Sequence, residues 1–110
     1  MIAPTTIQQH VASAYSVSLK QMLSQTRRYP VVLPRHIAML LTRRLRPDYT
    51  LKELATLFHR QNHATILKAI HSLEARLYYD KELALKVARL ERELSSLRKK
   101  SLDQTASVVR

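Results

Sequence analysis

Asn62, His63, Ala64 and Thr65, with Lys68 one helical turn later, bring an amide, an imidazole, a methyl, a hydroxyl and an ammonium into one short run. That set suits the edges of base pairs. Asn pairs with adenine N6 and N7, Thr and Ala meet the thymine methyl, His donates to an acceptor, and Lys reaches guanine or a phosphate. Asn62 also has an ordinary use as a helix N-cap and Thr65 as an exposed helix residue, and capping is compatible with base contact. Upstream, Arg27 and Arg28 lie in a basic connector bounded by prolines, from which their side chains reach beyond the folded body into a minor groove. Arg35 stands where the next helix opens, adding a charged donor to the free N–H groups that a helix start offers a phosphate. Arg28, Lys52, Arg60 and Lys68 complete the phosphate candidates.

Other chemistries are excluded by what is missing. His59 and His63 are four apart, yet His59 falls in a turn, no Cys is present, and the Glu of a zinc-protease pair is absent, so no metal site is expected. The few carboxylates sit among Lys and Arg, where nothing raises a pKa toward a general acid; the chain is read as a non-enzyme without cofactor. The sequence contains no Gly, which removes phosphate-cradling loops, dinucleotide fingerprints and nucleophile elbows.

The 110 residues fit one domain, and their net charge of +11 calls for a polyanionic partner. Up to Leu73 ten basic residues face two acidic ones, whereas from Glu74 onward nine face six. Positive charge therefore gathers on the part that holds the base-reading run. Arg43, Arg44 and Arg46 are read as a solvated helix face. The longest apolar run, Ile37 to Leu41, is far short of a membrane span or signal-peptide core, so a cytoplasmic, nucleoid-associated protein is expected.

Only helices are predicted to position these groups. Residues 1–5 read as a tail; Thr5 and Thr6, with Gln8 and Gln9, form capping boxes for a helix over about 6–15 carrying Ile7, Val11 and Tyr15. Ser18 with Gln21 caps a short second helix bearing Leu19, Met22 and Leu23. Ser24 to Pro34 reads as a loop, and Pro34 as the first position of a helix with Ile37, Leu40, Leu41 and Leu45 inward, ended by Pro47. Thr50 with Glu53 caps a helix through Phe58. Asn62 then caps a longer one with Ile66, Ile70, Leu73 and Leu77. The two make a helix-turn-helix. Asp80 caps a last helix whose seam of Leu83, Val87, Leu90, Leu94 and Leu97 covers barely two heptads, so it is expected to pack on the same domain, with weak dimerisation as the alternative. The domain is expected over 6–97 and a basic, disordered tail over 98–110.

From about Ile7 to Leu94 the chain resembles the C-terminal DNA-binding domain of bacterial DnaA replication initiators, an all-α domain of the Trp-repressor-like class. Pro34-Arg35-His36-Ile37-Ala38-Met39 looks like that family's Arg-Pro-Arg-Gln-Met-Ala-Met motif, with Leu33 replacing the leading Arg. Thr50-Leu51-Lys52-Glu53-Leu54-Ala55 and Phe58 resemble its first helix-turn-helix helix. Asn62-His63-Ala64-Thr65-Ile66-Leu67-Lys68-Ala69-Ile70 is similar to its Asp-His-Thr-Thr-Val-Leu-His-Ala signature, and Leu73-Glu74, Leu77 and Asp80 continue the pattern.

The resemblance implies base reading by Asn62 to Thr65, a minor-groove contact by Arg27, and phosphate contacts by Arg35 and His36. The chain departs from the family at the turn, where His59 and Arg60 replace Gly-containing residues, at Asn62, where the family has Asp, and at Ala64, where it has Thr. Asn for Asp exchanges an acceptor suited to cytosine for an amide suited to adenine. A complete initiator also places an ATP-binding motor before this module, and these residues cannot form one; the chain is a fragment or a stand-alone relative, and its Met1, short tail and basic end favour the latter. The expected function is sequence-selective binding of double-stranded DNA at a DnaA-box-like site, modulating replication initiation or transcription. An adaptor that binds the initiator without reading DNA is the alternative, and a general nucleoid binder the third reading.

Overall fold

The computed structural model describes the backbone of residues 2–109 and the side chains of residues 2–97. It is all-helical among the described residues: α1 (Pro4–Ala14), α2 (Leu19–Met22), α3 (Tyr29–Leu45), α4 (Leu51–Leu57), α5 (His63–Leu77) and α6 (Lys81–Val109). Where a disordered tail is expected over 98–110, the backbone of α6 continues as helix to Val109, and the side chains from 98 on lie outside the described residues.

Four starts are built from short side-chain signals. Ser18 and Gln21 bond reciprocally at α2, and Thr50 and Glu53 do the same at α4. Asn62 Oδ1 accepts from the Ala64 N–H at 2.9 Å, and Asp80 Oδ1 from the Leu83 N–H at 3.1 Å.

The other two starts differ from expectation. α1 begins at Pro4 with Ala3 as its uncapped N-cap, so the Thr5 and Thr6 boxes do not form; a proline in the first turn has no N–H to leave unsatisfied. Gln8, freed from capping, is buried and donates from Nε2 to the Leu57 carbonyl at 3.0 Å, tying α1 to the end of α4. α3 begins at Tyr29, not Pro34, because Pro30 occupies the permissive first turn and Pro34 lies inside the helix. Val31, Pro34, Ala38, Leu41 and Leu45 recur at spacings of three and four and are all buried, and that inward stripe outweighs the lost hydrogen bond. The irregular connector therefore shrinks to residues 23–28.

α3 is the central element, packed against α1, α2, α5 and α6, while α4 packs on α5. Phe58, Leu54 and Ile66 are fully buried where the two arms of the helix-turn-helix meet. Leu83, Val87, Leu90 and Leu94 bury the seam of α6 in the same core, but Leu97 is 43% exposed. Glu91 pairs with Arg44 at 3.0 Å and Glu93 with His10 at 2.8 Å, fixing α6 to α3 and α1. Arg46 bonds Asp48 and the Ile2 carbonyl, so it serves the fold and is not a freely solvated charge.

The turn after α4 closes without glycine. His59 adopts φ 55°, while the His59 N–H donates to the Thr56 carbonyl at 3.1 Å and the Arg60 N–H to the Ala55 carbonyl at 2.7 Å, a Schellman closure. A Cβ in that left-handed region is unfavourable. His59→Gly is therefore expected to stabilise the fold by about 0.5–1 kcal/mol and raise Tm by about 2–8 °C in a thermal melt; an unchanged or lower Tm would show that the side chain compensates for its backbone.

Candidate nucleic-acid interface

The site is assembled on three elements held in fixed relation. Ile66, Ala69, Ile70 and Leu73 anchor one face of α5, which leaves residues 61–65 wholly exposed as a leading turn. Asn62 caps this turn through Oδ1, so its amide N–H groups remain free of any bond among the described residues. His63, Ala64 and Thr65 follow on the open surface, and Lys68 is exposed one turn on.

The connector 23–28 is clamped beside that turn. Arg35 is only 4% exposed, and its guanidinium donates from Nε to the Met22 carbonyl at 2.7 Å, from Nη1 to the Thr26 carbonyl at 3.0 Å and from Nη2 to the Ser24 carbonyl at 3.0 Å. Arg60 Nη2 donates to the same Ser24 carbonyl at 3.1 Å, and Gln25 Nε2 to the His59 carbonyl at 3.0 Å. The connector is thus tied to α3 on one side and to the helix-turn-helix turn on the other. Arg27, between the tied residues, is exposed and makes no hydrogen bond among the described residues.

An open cleft of about 820 Å³ results, and it brings together Arg27, Arg35, His36, Arg60, Asn62, Thr65 and Lys68. Among the described residues no carboxylate lines it. Burial, then the neighbouring Arg60, pushes the Arg35 pKa down to about 10, and burial alone lowers that of Arg60, whose Nη1 is buried without an acceptor. Burial, then Arg35 and Arg60, lowers the imidazole pKa of His36. The cleft is electropositive, with no internal counterion among the described residues.

The sequence-predicted residues divide accordingly. Arg28, Lys52, His63 and Ala64 are exposed but do not line the cleft. Arg28 is the N-cap of α3, and Lys52 lies in the first turn of α4, where a cation opposes the helix dipole. Arg35 requires correction: because α3 starts at Tyr29, Arg35 is in its second turn on the inner side, and its donors hold the connector in place of the free first-turn position expected of it. Ser24 and Gln25 were missed, since side-chain bonds to distant carbonyls carry no local sequence signal. Among the described residues no three His, Asp or Glu side chains converge as a metal site would need, and no helix is long and apolar enough to cross a membrane.

Residues 4–73 match the family described as "Bacterial dnaA protein helix-turn-helix". The "Chromosomal replication initiator protein DnaA" of Limosilactobacillus reuteri (strain DSM 20016) is 35% identical over 95 residues, covering 86% of this chain and 21% of that protein. The protein of the same name from Bartonella quintana (strain Toulouse) is 37% identical over 86 residues, 78% of this chain and 17% of the relative. That of Rickettsia rickettsii (strain Sheila Smith) is 39% identical over 77 residues, 70% and 16%. A solved structure described as "crystal structure of DNA replication initiation factor" superposes with a TM-score of 0.72 at 33% identity, covering 83% of this chain and 27% of that one. The chain spans about a fifth of the length of the curated relatives it matches.

Proposed function

The chain belongs to the bacterial DnaA helix-turn-helix family, and from that membership we propose that it binds double-stranded DNA selectively at a DnaA-box-like site and thereby modulates replication initiation or transcription. The carrying observation is the juxtaposition of an exposed α5 leading turn with an arginine connector clamped beside it, across a cleft without acids. In this reading α5 enters the major groove, where Asn62, His63, Ala64 and Thr65 face base edges. Arg27 reaches the adjacent minor groove, and Arg28, His36, Lys52, Arg60 and Lys68 meet phosphates. The DNA-binding unit, read from the sequence as 6–97, starts instead at Ile2, which is buried in the core, and acts as a monomer or weak dimer at the nucleoid in the cytoplasm.

The test separates base contacts from phosphate contacts. Arg27→Ala and Thr65→Ala are each expected to cost about 1–3 kcal/mol on a duplex selected from a random library and much less on scrambled DNA, whereas Lys52→Ala weakens both about equally. Fluorescence anisotropy at one stated salt concentration reads the difference. Equal losses for all three variants would leave only non-specific binding. A complex with the initiator that survives nuclease and Arg27→Ala, with no duplex binding, would transfer the site to the adaptor reading.

A further inference from the structure

His36 lies in the second turn of α3, half-buried, on the wall of the cleft. The charged and titratable groups that line this cleft with it come from every element packed around it: Arg35 from α3, Arg27 from the connector, His59 and Arg60 from the turn, and Lys68 from α5. All are basic. Arg35 and Arg60 converge on one carbonyl, that of Ser24, which fixes two guanidinium charges side by side with no carboxylate to offset them. An imidazolium added to this group is disfavoured by partial desolvation and by both neighbours, so the free protein holds His36 neutral at pH 7.

Resting on the reading of the cleft as a DNA-binding surface, we infer that a backbone phosphate of the bound duplex seats in this cleft as the missing counterion and that His36 takes up a proton as it does so. The anion reverses the sign of the local field, and the imidazole becomes a charged donor to a phosphate oxygen where it was a neutral ring before. Linkage makes the effect reciprocal: whatever factor by which phosphate favours the proton, the proton favours the duplex. Each unit by which binding raises the His36 pKa is tenfold in affinity, gained as pH falls. The free fold responds oppositely. Its imidazole pKa is depressed relative to the unfolded chain, so its stability is greatest above the ordinary histidine value and falls as pH drops below it.

The probe is a short random-sequence fluorescent duplex, since a phosphate contact needs no preferred site. Anisotropy titrations of the wild type, His36→Gln, His59→Gln and His63→Gln run from about pH 7.5 to about pH 5.5 at fixed low salt. The wild type is expected to tighten about tenfold more than His36→Gln over that range, and His59→Gln and His63→Gln to lose less of the pH dependence than His36→Gln does. In parallel, the His36 ring proton followed by NMR titrates at higher pH with duplex than without, a readout that does not depend on any variant folding. Equal pH dependence in the wild type and His36→Gln, or an NMR titration unmoved by duplex, would overturn proton uptake while leaving DNA binding intact. Absence of duplex binding at every pH would overturn both.

Discussion

Arg35→Ala is expected to destabilise the fold by about 3–5 kcal/mol, read as a shift of the urea midpoint at unchanged m-value. The side chain is 4% exposed and supplies the donors for the carbonyls of Met22, Thr26 and Ser24, so truncation leaves the first two with no side-chain donor and the third with Arg60 alone. Hydrogen bonds from a charged group contribute about 1.5–3 kcal/mol each, which makes three of them decisive for a domain of marginal stability. The guanidinium remains charged at neutral pH because burial and Arg60 bring its pKa down only to about 10. Arg35→Lys keeps the charge but replaces a planar fork reaching three carbonyls with a single point donor, so it should recover less than half of the loss. At temperatures where Arg35→Ala stays folded, the connector 23–28 loses its hold on α3, and preference for a selected duplex should fall as far as it does in Arg27→Ala. A destabilisation below about 1 kcal/mol would mean that the carbonyls find water and that the clamp does not set the connector.

The contrast between this arginine and its neighbours shows what the sequence made legible. α2, α4, α5 and α6 were readable at their first residues because Ser18, Thr50, Asn62 and Asp80 bond to backbone N–H groups two or three positions away, an interaction written within one turn of chain. α1 and α3 were misplaced at their starts because prolines signal both a loop and a permitted first turn, and only burial, of Pro4 in α1 and of Val31 and Pro34 in α3, chooses between them. The leading turn of α5 was legible as an exposed, capped run of candidate base contacts, since its residue types, its cap and the local excess of positive charge coincide. Arg35 was legible as a charge and not as a clamp. Its acceptors lie 9 to 13 residues earlier in the chain and are backbone carbonyls, which every sequence has at every position. Likewise His59 reads as an exposed turn residue, and nothing in its side chain announces φ 55°.

Raising salt from about 50 to about 200 mM is expected to weaken duplex binding about 150- to 500-fold, because about four to five phosphate charges are neutralised and each contributes about −0.9 to the slope of log K against log salt. The candidates for those charges are the exposed Arg28, Lys52 and Lys68, with Arg60 at the cleft and His36 once it is protonated. Arg35, 4% exposed with its donors on carbonyls, makes no phosphate contact of its own, and its charge acts on the phosphate that Arg60 meets. Selected and scrambled duplexes should give parallel lines, offset by the base contacts of α5 and Arg27, since those contacts release few counterions. Lys52→Ala should flatten both lines by about 0.9, whereas Thr65→Ala should narrow the gap between them and leave the slope unchanged. A wild-type slope shallower than about −2 would show that the electropositive cleft does not face phosphate, and would direct attention to a protein partner for the same surface.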